Sequence, residues 1–412
     1  MSDTPSPSWM PASVASAARR GTATAADLTS GRAWGSMLDA LRRAGDAIHA
    51  GGAPTGPLDE AAGYRHLLVL LALGIDEALR SSSDPYAPEI APGNVDAVLK
   101  WGMDCPDAAY IGASIRGDAA YRVSGRRGTV RYLGFQVMGG MESLANVVAD
   151  DLEIGPDGTF ELTLSPEPAP GNWMPLSAGA SSLVVRQFFY DWENETPADL
   201  RIECLTRPPA ALRQEISAPD AIARHLVALG EFAEASLAFW SDIEAGGRAQ
   251  GLNTFRVPNA RTDMGGAAEN VSVWGSWELA DGEALIIEVV PPPALYWSVA
   301  LGNHWWETLD YANHQASLNG HQAVLDADGA FRAVVAARDP GVANWLDTCG
   351  HRQGPMIFRW LRADDAPAPA TRVVPFDALG DALPASTPRL SSDERAAVLA
   401  SRRRGVRRRF RR

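Results

Sequence analysis

Two stretches of this chain carry the same landmarks in the same order. GDAAYRVSGRRGTVRYLGFQV (Gly117–Val137) aligns with GEALIIEVVPPPALYWSVALG (Gly282–Gly302), and MESLA (Met141–Ala145) aligns with WETLD (Trp306–Asp310). DGTFELTLSPEPAPGNW (Asp157–Trp173) lies against DGAFRAVVAARDPGVANW (Asp328–Trp345), and Gly179–Trp192 against Gly350–Asp364. The register drifts through an insertion in the second copy between Ala312 and Gly320. A repeat of this kind means that one supersecondary unit is used twice. We read a tandem duplication, roughly 104–192 and 268–364.

Both copies are rich in β-branched and aromatic residues, as strands require. Asp157-Gly158 and Asp328-Gly329 mark tight turns, because glycine supplies positive φ there. In the second copy the strands are read at 294–302, 321–327, 331–337 and 355–361. Segments around the repeats have helical spacing. The expected fold is α+β: tandem duplicated β-sandwich-like modules with an N-terminal helical region and a helical linker between the modules. The expected divisions are a disordered N-terminus (1–25), a helical region and linker (26–103), the first β-rich module (104–208), a helical linker (209–267), the second β-rich module (268–376) and an Arg-rich C-terminal tail (377–412).

The chain has 412 residues, 46% hydrophobic and 21% charged, with a net charge of −13. Eight of the last eleven residues are Arg, so the rest is strongly acidic and no broad nucleic-acid surface is expected. The tail is read as a solvated, mobile extension, with contact to an anionic partner as its functional alternative. Cys105, Cys204 and Cys349 form no C-x-x-C, which suits a reducing cytoplasm. The N-terminus lacks the apolar stretch of a secretory signal, and the longest apolar run, Leu67–Ile75, is too short for a membrane span.

The repeat also serves as an internal control. Positions shared by both copies report on the fold. Asn172-Trp173 and Asn344-Trp345 read as a loop-satisfying Asn beside a plugging Trp. Arg186 and Arg359 lie in apolar strands and require carboxylate partners, for which Glu142 and Glu307 are the expected candidates. The differences report on chemistry. The first copy holds no His, whereas the second holds His304, His314, His321 and His351. Strand alternation places the connections 303–320 and 338–354 at one rim of the second module. His304, Glu307, Asp310, His314 and His351 are the candidate catalytic residues there. Trp305, Tyr311, Asn313, Gln315, Asn344, Trp345 and Arg359 are the candidate ligand-binding residues. No metal set is assigned and no cofactor is named, although His304 with Glu307, or Asp310 with His314, have chelating spacing.

No G-x-S-x-G, G-x-x-x-x-G-K-[ST] or G-x-G-x-x-G is present, which argues against an ordinary α/β-hydrolase, P-loop NTPase or Rossmann dehydrogenase. The Asp-Gly hairpin, the Asn344-Trp345-Leu346 segment and the strand bearing Arg359 resemble the bacterial family called domain of unknown function 1214. The resemblance covers about 290–364 and, more weakly, 104–192. It implies a β-rich fold with helical additions, and no settled reaction. The expected function is that of an enzyme or enzyme-like protein acting on a small organic molecule at the second module's rim. The alternative is non-catalytic binding of an aromatic, sterol-like or carbohydrate ligand.

Overall fold

The duplicated sequence builds the same pair of sheets twice. The computed structural model describes residues 14–50, 52–80, 85–92, 95–140, 142–206, 218–260, 266–267 and 269–410. In the first module the strands are β1 (Ala91–Pro92), β2 (Ala108–Ser114), β3 (Tyr121–Arg126), β4 (Tyr132–Gly139), β5 (Glu142–Val148), β6 (Thr159–Ser165), β7 (Trp173–Pro175), β8 (Ser182–Phe188) and β9 (Asp199–Cys204). They form sheets ordered β1-β2-β8-β4-β5 and β7-β6-β3-β9. In the second the strands are β10 (Thr254–Phe255), β11 (Asn270–Glu278), β12 (Glu283–Val289), β13 (Ala294–Leu301), β14 (Ser317–Asn319), β15 (Phe331–Ala336), β16 (Trp345–Asp347), β17 (Gln353–Ala363) and β18 (Ala370–Pro375). Their sheets run β10-β11-β17-β13-β14 and β16-β15-β12-β18. The two orders correspond strand for strand, down to the parallel pairs β6-β7 and β15-β16.

Each module buries the facing sides of its two sheets. Leu133, Phe135, Leu162 and Val185 fill the first core, and Val273, Ile287, Val299 and Phe358 fill the second. The alternate residues therefore point outward. The outward faces of the two five-stranded sheets meet each other: Ala108, Tyr132 and Phe188 of the first pack with Tyr296 and Leu361 of the second.

The local details of the repeat also hold. Gly158 and Gly329 both have φ of +81°, a conformation that costs glycine little. Asn172 Nδ2 donates to the Glu153 and Glu161 carbonyls, and Asn344 Nδ2 to those of Val324 and Arg332. Two strand-level readings are corrected. Residues 321–327 form no strand; the chain turns there after the short β14 and crosses to the other sheet. The insertion splits the counterpart of β5 into a bridge, Gly302↔Thr308, and β14. That bridge stands where Met138 pairs with Ser143, so Glu142 and Glu307 do correspond.

Helices α1 (Val14–Arg20), α2 (Ala25–Thr29), α3 (Arg32–Ala47), α4 (Pro57–Arg80) and α5 (Pro219–Ala249) pack together around Val69, Leu70, Ala233 and Leu237. Val14 and Ala18 are buried in that cluster, so residues 14–20 are ordered by packing where composition suggested disorder. Residues 1–13 of that segment lie outside the described residues. The chain ends with the short α6 (Leu379–Ala382) and then α7 (Ser392–Phe410), which overturns the reading of a mobile tail. Val406 enters the first module's core, and Gly405 lies against Trp192, where a Cβ would approach to 2.7 Å. Arg402 is buried and donates to the Tyr311 carbonyl (3.0 Å) and to Ser317 Oγ (2.8 Å) of the second module. Its guanidinium also lies 4.7 Å from the Trp192 ring of the first. No described helix is long and apolar enough to cross a membrane.

Candidate functional site

The rim loops 303–320 and 338–354 do meet. Asp347 N donates to the Gln315 carbonyl (3.0 Å), and Gln315 Nε2 donates to the carbonyls of Ala343 (2.9 Å) and Trp345 (2.7 Å). The side chains expected to converge there do not form one constellation. The first turns of α4 cover part of the rim. Trp305 Nε1 donates to the Asp59 carbonyl (3.2 Å), and His351 Nδ1 lies 2.8 Å from Asp59 Oδ1. A Cβ at Gly63 would lie 2.8 Å from the Trp305 ring, so glycine permits this close approach.

Glu307 is 2% exposed and faces the same helix. Arg65 Nη1 donates to both its oxygens at 3.0 Å, and His66 Nδ1 lies 3.2 Å away. Burial raises the Glu307 carboxyl, but His66, Arg65 and Lys100 outweigh it and hold the group below its ordinary value. Glu307 is therefore the charged centre of a helix-docking node. It does not pair with Arg359, as the sequence suggested. Burial, reinforced by Arg248 and opposed by Asp59, lowers His304 to about 4, so it is neutral near pH 7.

The inserted loop divides further. Asp310 accepts from the Ala312 and Asn313 backbone and from Asn313 Nδ2, which makes it the cap of a turn. Tyr311 enters the first module's core beside Trp192, and Lys100 Nζ sits 4.4 Å from its ring. Asn344 is committed to backbone groups, Gln315 to backbone carbonyls and the Arg395 guanidinium, and Trp345 Nε1 donates to the Ala336 carbonyl (2.9 Å). His314 keeps access to solvent: its side chain is 43% exposed and its Nδ1 lies 2.8 Å from Asp347 Oδ2. Cys349 joins them, and donor atoms of the three lie within 4.8 Å of one another.

A second location emerges on the outward faces where the modules meet. Ser272, Arg359 and Ser298 stand side by side across β11, β17 and β13. The equivalent row of the first module is Tyr110, Arg186 and Gly134. Directly opposed residues share a face of the sheet, so each copy contributes its arginine to the space between modules. Arg359 is 6% exposed. Its Nη2 donates to the Met103 carbonyl (2.5 Å), while Nη1 is buried without a hydrogen-bond partner among the described residues. Ser298 Oγ, Asn270 Oδ1, Asn146 Oδ1 and Gln136 Oε1 are likewise unpartnered there.

The nearest groups able to balance Arg359 are held toward neutrality by burial. The Cys105 thiol and the Tyr296 phenol are raised, Tyr110 is pushed up to about 12, and Asp104 is raised despite Lys100 and Thr308. Tyr110 lies within electrostatic reach of both arginines. The sequence had marked Arg186 and Arg359 as equivalent, but as scaffold. Strand alternation was the available signal, since each is flanked by residues that face the module core. On the same outer face, Glu244 of α5 packs near Ser276 and Trp306 and is raised to about 7 by burial, against the pull of Arg248. Helical periodicity alone does not distinguish that residue.

Comparison with known proteins agrees with this architecture. Residues 284–365 match the family described as a protein of unknown function, DUF1214. A solved structure of an uncharacterised protein from Burkholderia cenocepacia is 36% identical, covers 86% of this chain and 99% of that chain, and superposes with a TM-score of 0.78. The chain therefore belongs to the DUF1214 family. A Vibrio parahaemolyticus protein, VPA0106, aligns over 75% of this chain and 98% of that one at 13% identity and a TM-score of 0.43. No curated protein matches the chain.

Proposed function

We propose that the protein binds a small organic anion, a carboxylate in the simplest case, between its two modules, with Arg359 as the anchoring charge. The observation that carries this reading is the buried Arg359 guanidinium, whose free Nη1 shares a sheet face with the unpartnered Ser298 hydroxyl. Cys105, Tyr296, Tyr110 and Asp104 outweigh burial and hold the guanidinium charged, but a buried polar atom without a partner is costly. An incoming carboxylate supplies that partner, and a guanidinium accepts it in a paired geometry. Arg186 and Tyr110 on the facing sheet supply a second charge and a hydroxyl. A reducing compartment suits the three unpaired cysteines.

Calorimetric titration of the full chain with benzoate, succinate and malonate tests the reading. Saturable binding of at least one, weakened at least about tenfold in Arg359→Gln, is expected. The reading fails if none binds and mass spectrometry of the native protein finds no co-purified anion.

Acid–base catalysis at the rim is the second reading, and the half-exposed His314–Asp347 pair favours it. Loss of turnover in His314→Ala with anion binding intact would assign the chemistry to the rim.

A further inference from the structure

We propose that His314, Asp347 and Cys349 form a mononuclear site for a divalent cation of the zinc type, with a fourth position open. This site is separate from the junction between the modules and does not depend on its reading.

The three side chains supply one nitrogen, one oxygen and one sulfur, the donor set that zinc takes. Their donor atoms already lie within 4.8 Å of one another. Bonds of about 2.0–2.3 Å to a tetrahedral zinc place donors roughly 3.3–3.6 Å apart. The adjustment required is therefore about an ångström, which rotation of the half-exposed His314 can provide. Asp347 and Cys349 sit on a firmer base: Asp347 Oδ1 accepts the Cys349 backbone N–H (2.8 Å), and the Asp347 backbone N–H is bonded to Gln315. Supporting bonds of this kind orient metal ligands.

A divalent ion bound here displaces one proton from the Cys349 thiol to solvent and converts it to a bound thiolate.

The repeat points the same way. His314 lies on the insertion that the first copy lacks. Where the second copy has Trp345-Leu346-Asp347-Thr348-Cys349, the first reads Trp173-Met174-Pro175-Leu176-Ser177, with neither the carboxylate nor the thiol. The shared scaffold at this corner thus carries ligands in one copy only. Three protein ligands leave a fourth position, which suits a site that polarises a bound water or a substrate oxygen.

The test is titration of the reduced, metal-free full chain with Co²⁺ as a spectroscopic substitute for zinc. One equivalent is expected to produce a thiolate-to-cobalt charge-transfer band. That band should vanish in Cys349→Ser, and the affinity should fall at least about tenfold in His314→Ala. Cobalt binding without a thiolate band, or a band that survives in Cys349→Ser, overturns the site. A measurement on the unmodified chain guards against variants that do not fold. One equivalent of Zn²⁺ should slow alkylation of Cys349 by iodoacetamide, mapped by mass spectrometry, while Cys204 alkylates as before. Equal rates at Cys349 with and without Zn²⁺ overturn the site independently.

Discussion

Glu142 and Glu307 occupy the same place in the two copies, and their fates differ. Glu142 is exposed at the start of β5, whereas Glu307 is buried against Arg65, His66 and Lys100. Duplication supplied one backbone twice, and helix docking then gave the second copy a different environment. Equivalence of sequence therefore fixes the position of a side chain in the sheet, while the elements packed on that sheet determine its chemistry.

The first expected effect follows directly. Glu307→Ala removes a buried carboxylate from buried His66 and half-exposed Arg65 and should cost about 2–3 kcal/mol, as losing charge-assisted hydrogen bonds does. Glu142→Ala should stay within about 0.5 kcal/mol, as at other exposed sites. Urea denaturation of both variants tests this. Similar losses would mean that the two positions are not differentiated.

The helix on the second module's outer face gives the next test. Glu244 is raised from 4.5 to about 7, and burial is the leading cause. A raised folded-state pKa gives stability that is full below about pH 4.5 and is lost as pH rises through about 7. Relative to Glu244→Gln, the native chain should lose roughly 3 kcal/mol between those limits. Parallel stability curves at pH 5 and pH 8 would remove Glu244 from the account.

The junction follows. Arg402 bonds to the second module and stacks on Trp192 of the first, so Arg402→Ala should cost about 2–3 kcal/mol. The exposed Arg407→Ala should change stability by less than about 0.5 kcal/mol. Thermal denaturation of the pair separates a structural tail from a solvated one. The smallest expected contrast lies in the shared turn. Asn344→Ala should cost about 2 kcal/mol and the more accessible Asn172→Ala about 1 kcal/mol, because water replaces the lost bonds more readily at Asn172. A reversed order would show that burial does not set the difference between the two turns.

The duplication was legible because strand alternation, Asp-Gly turns and the Asn-Trp pair are local signals. Residues 303–320 and 338–354 do meet, but the alternation that placed them at one corner counted a strand at 321–327 that does not form and missed β14 within 303–320. What the rim side chains touch was not legible. The partners of Glu307, Trp305 and His351 lie on α4, far away in sequence, and amphipathic spacing does not say which helix face meets which loop. Arg395 and Arg402 read as tail charges because a run of like charge normally stays in water. Here Arg395 donates to Gln315 (2.8 Å) and pairs with Asp339 (2.9 Å), while carbonyls accept from both arginines. Cys349 carried no weight as one of three scattered thiols, and became meaningful only beside His314 and Asp347.

The central claim is that the two copies create a binding site where their outer faces meet. A crystal structure of the full chain, grown from carboxylate-free solution with benzoate or succinate added, tests it most directly. Density for the anion is expected within hydrogen-bond distance of Arg359 Nη1 and Ser298 Oγ. Ordered water alone beside Arg359, with the added anion absent or bound elsewhere, would contradict it.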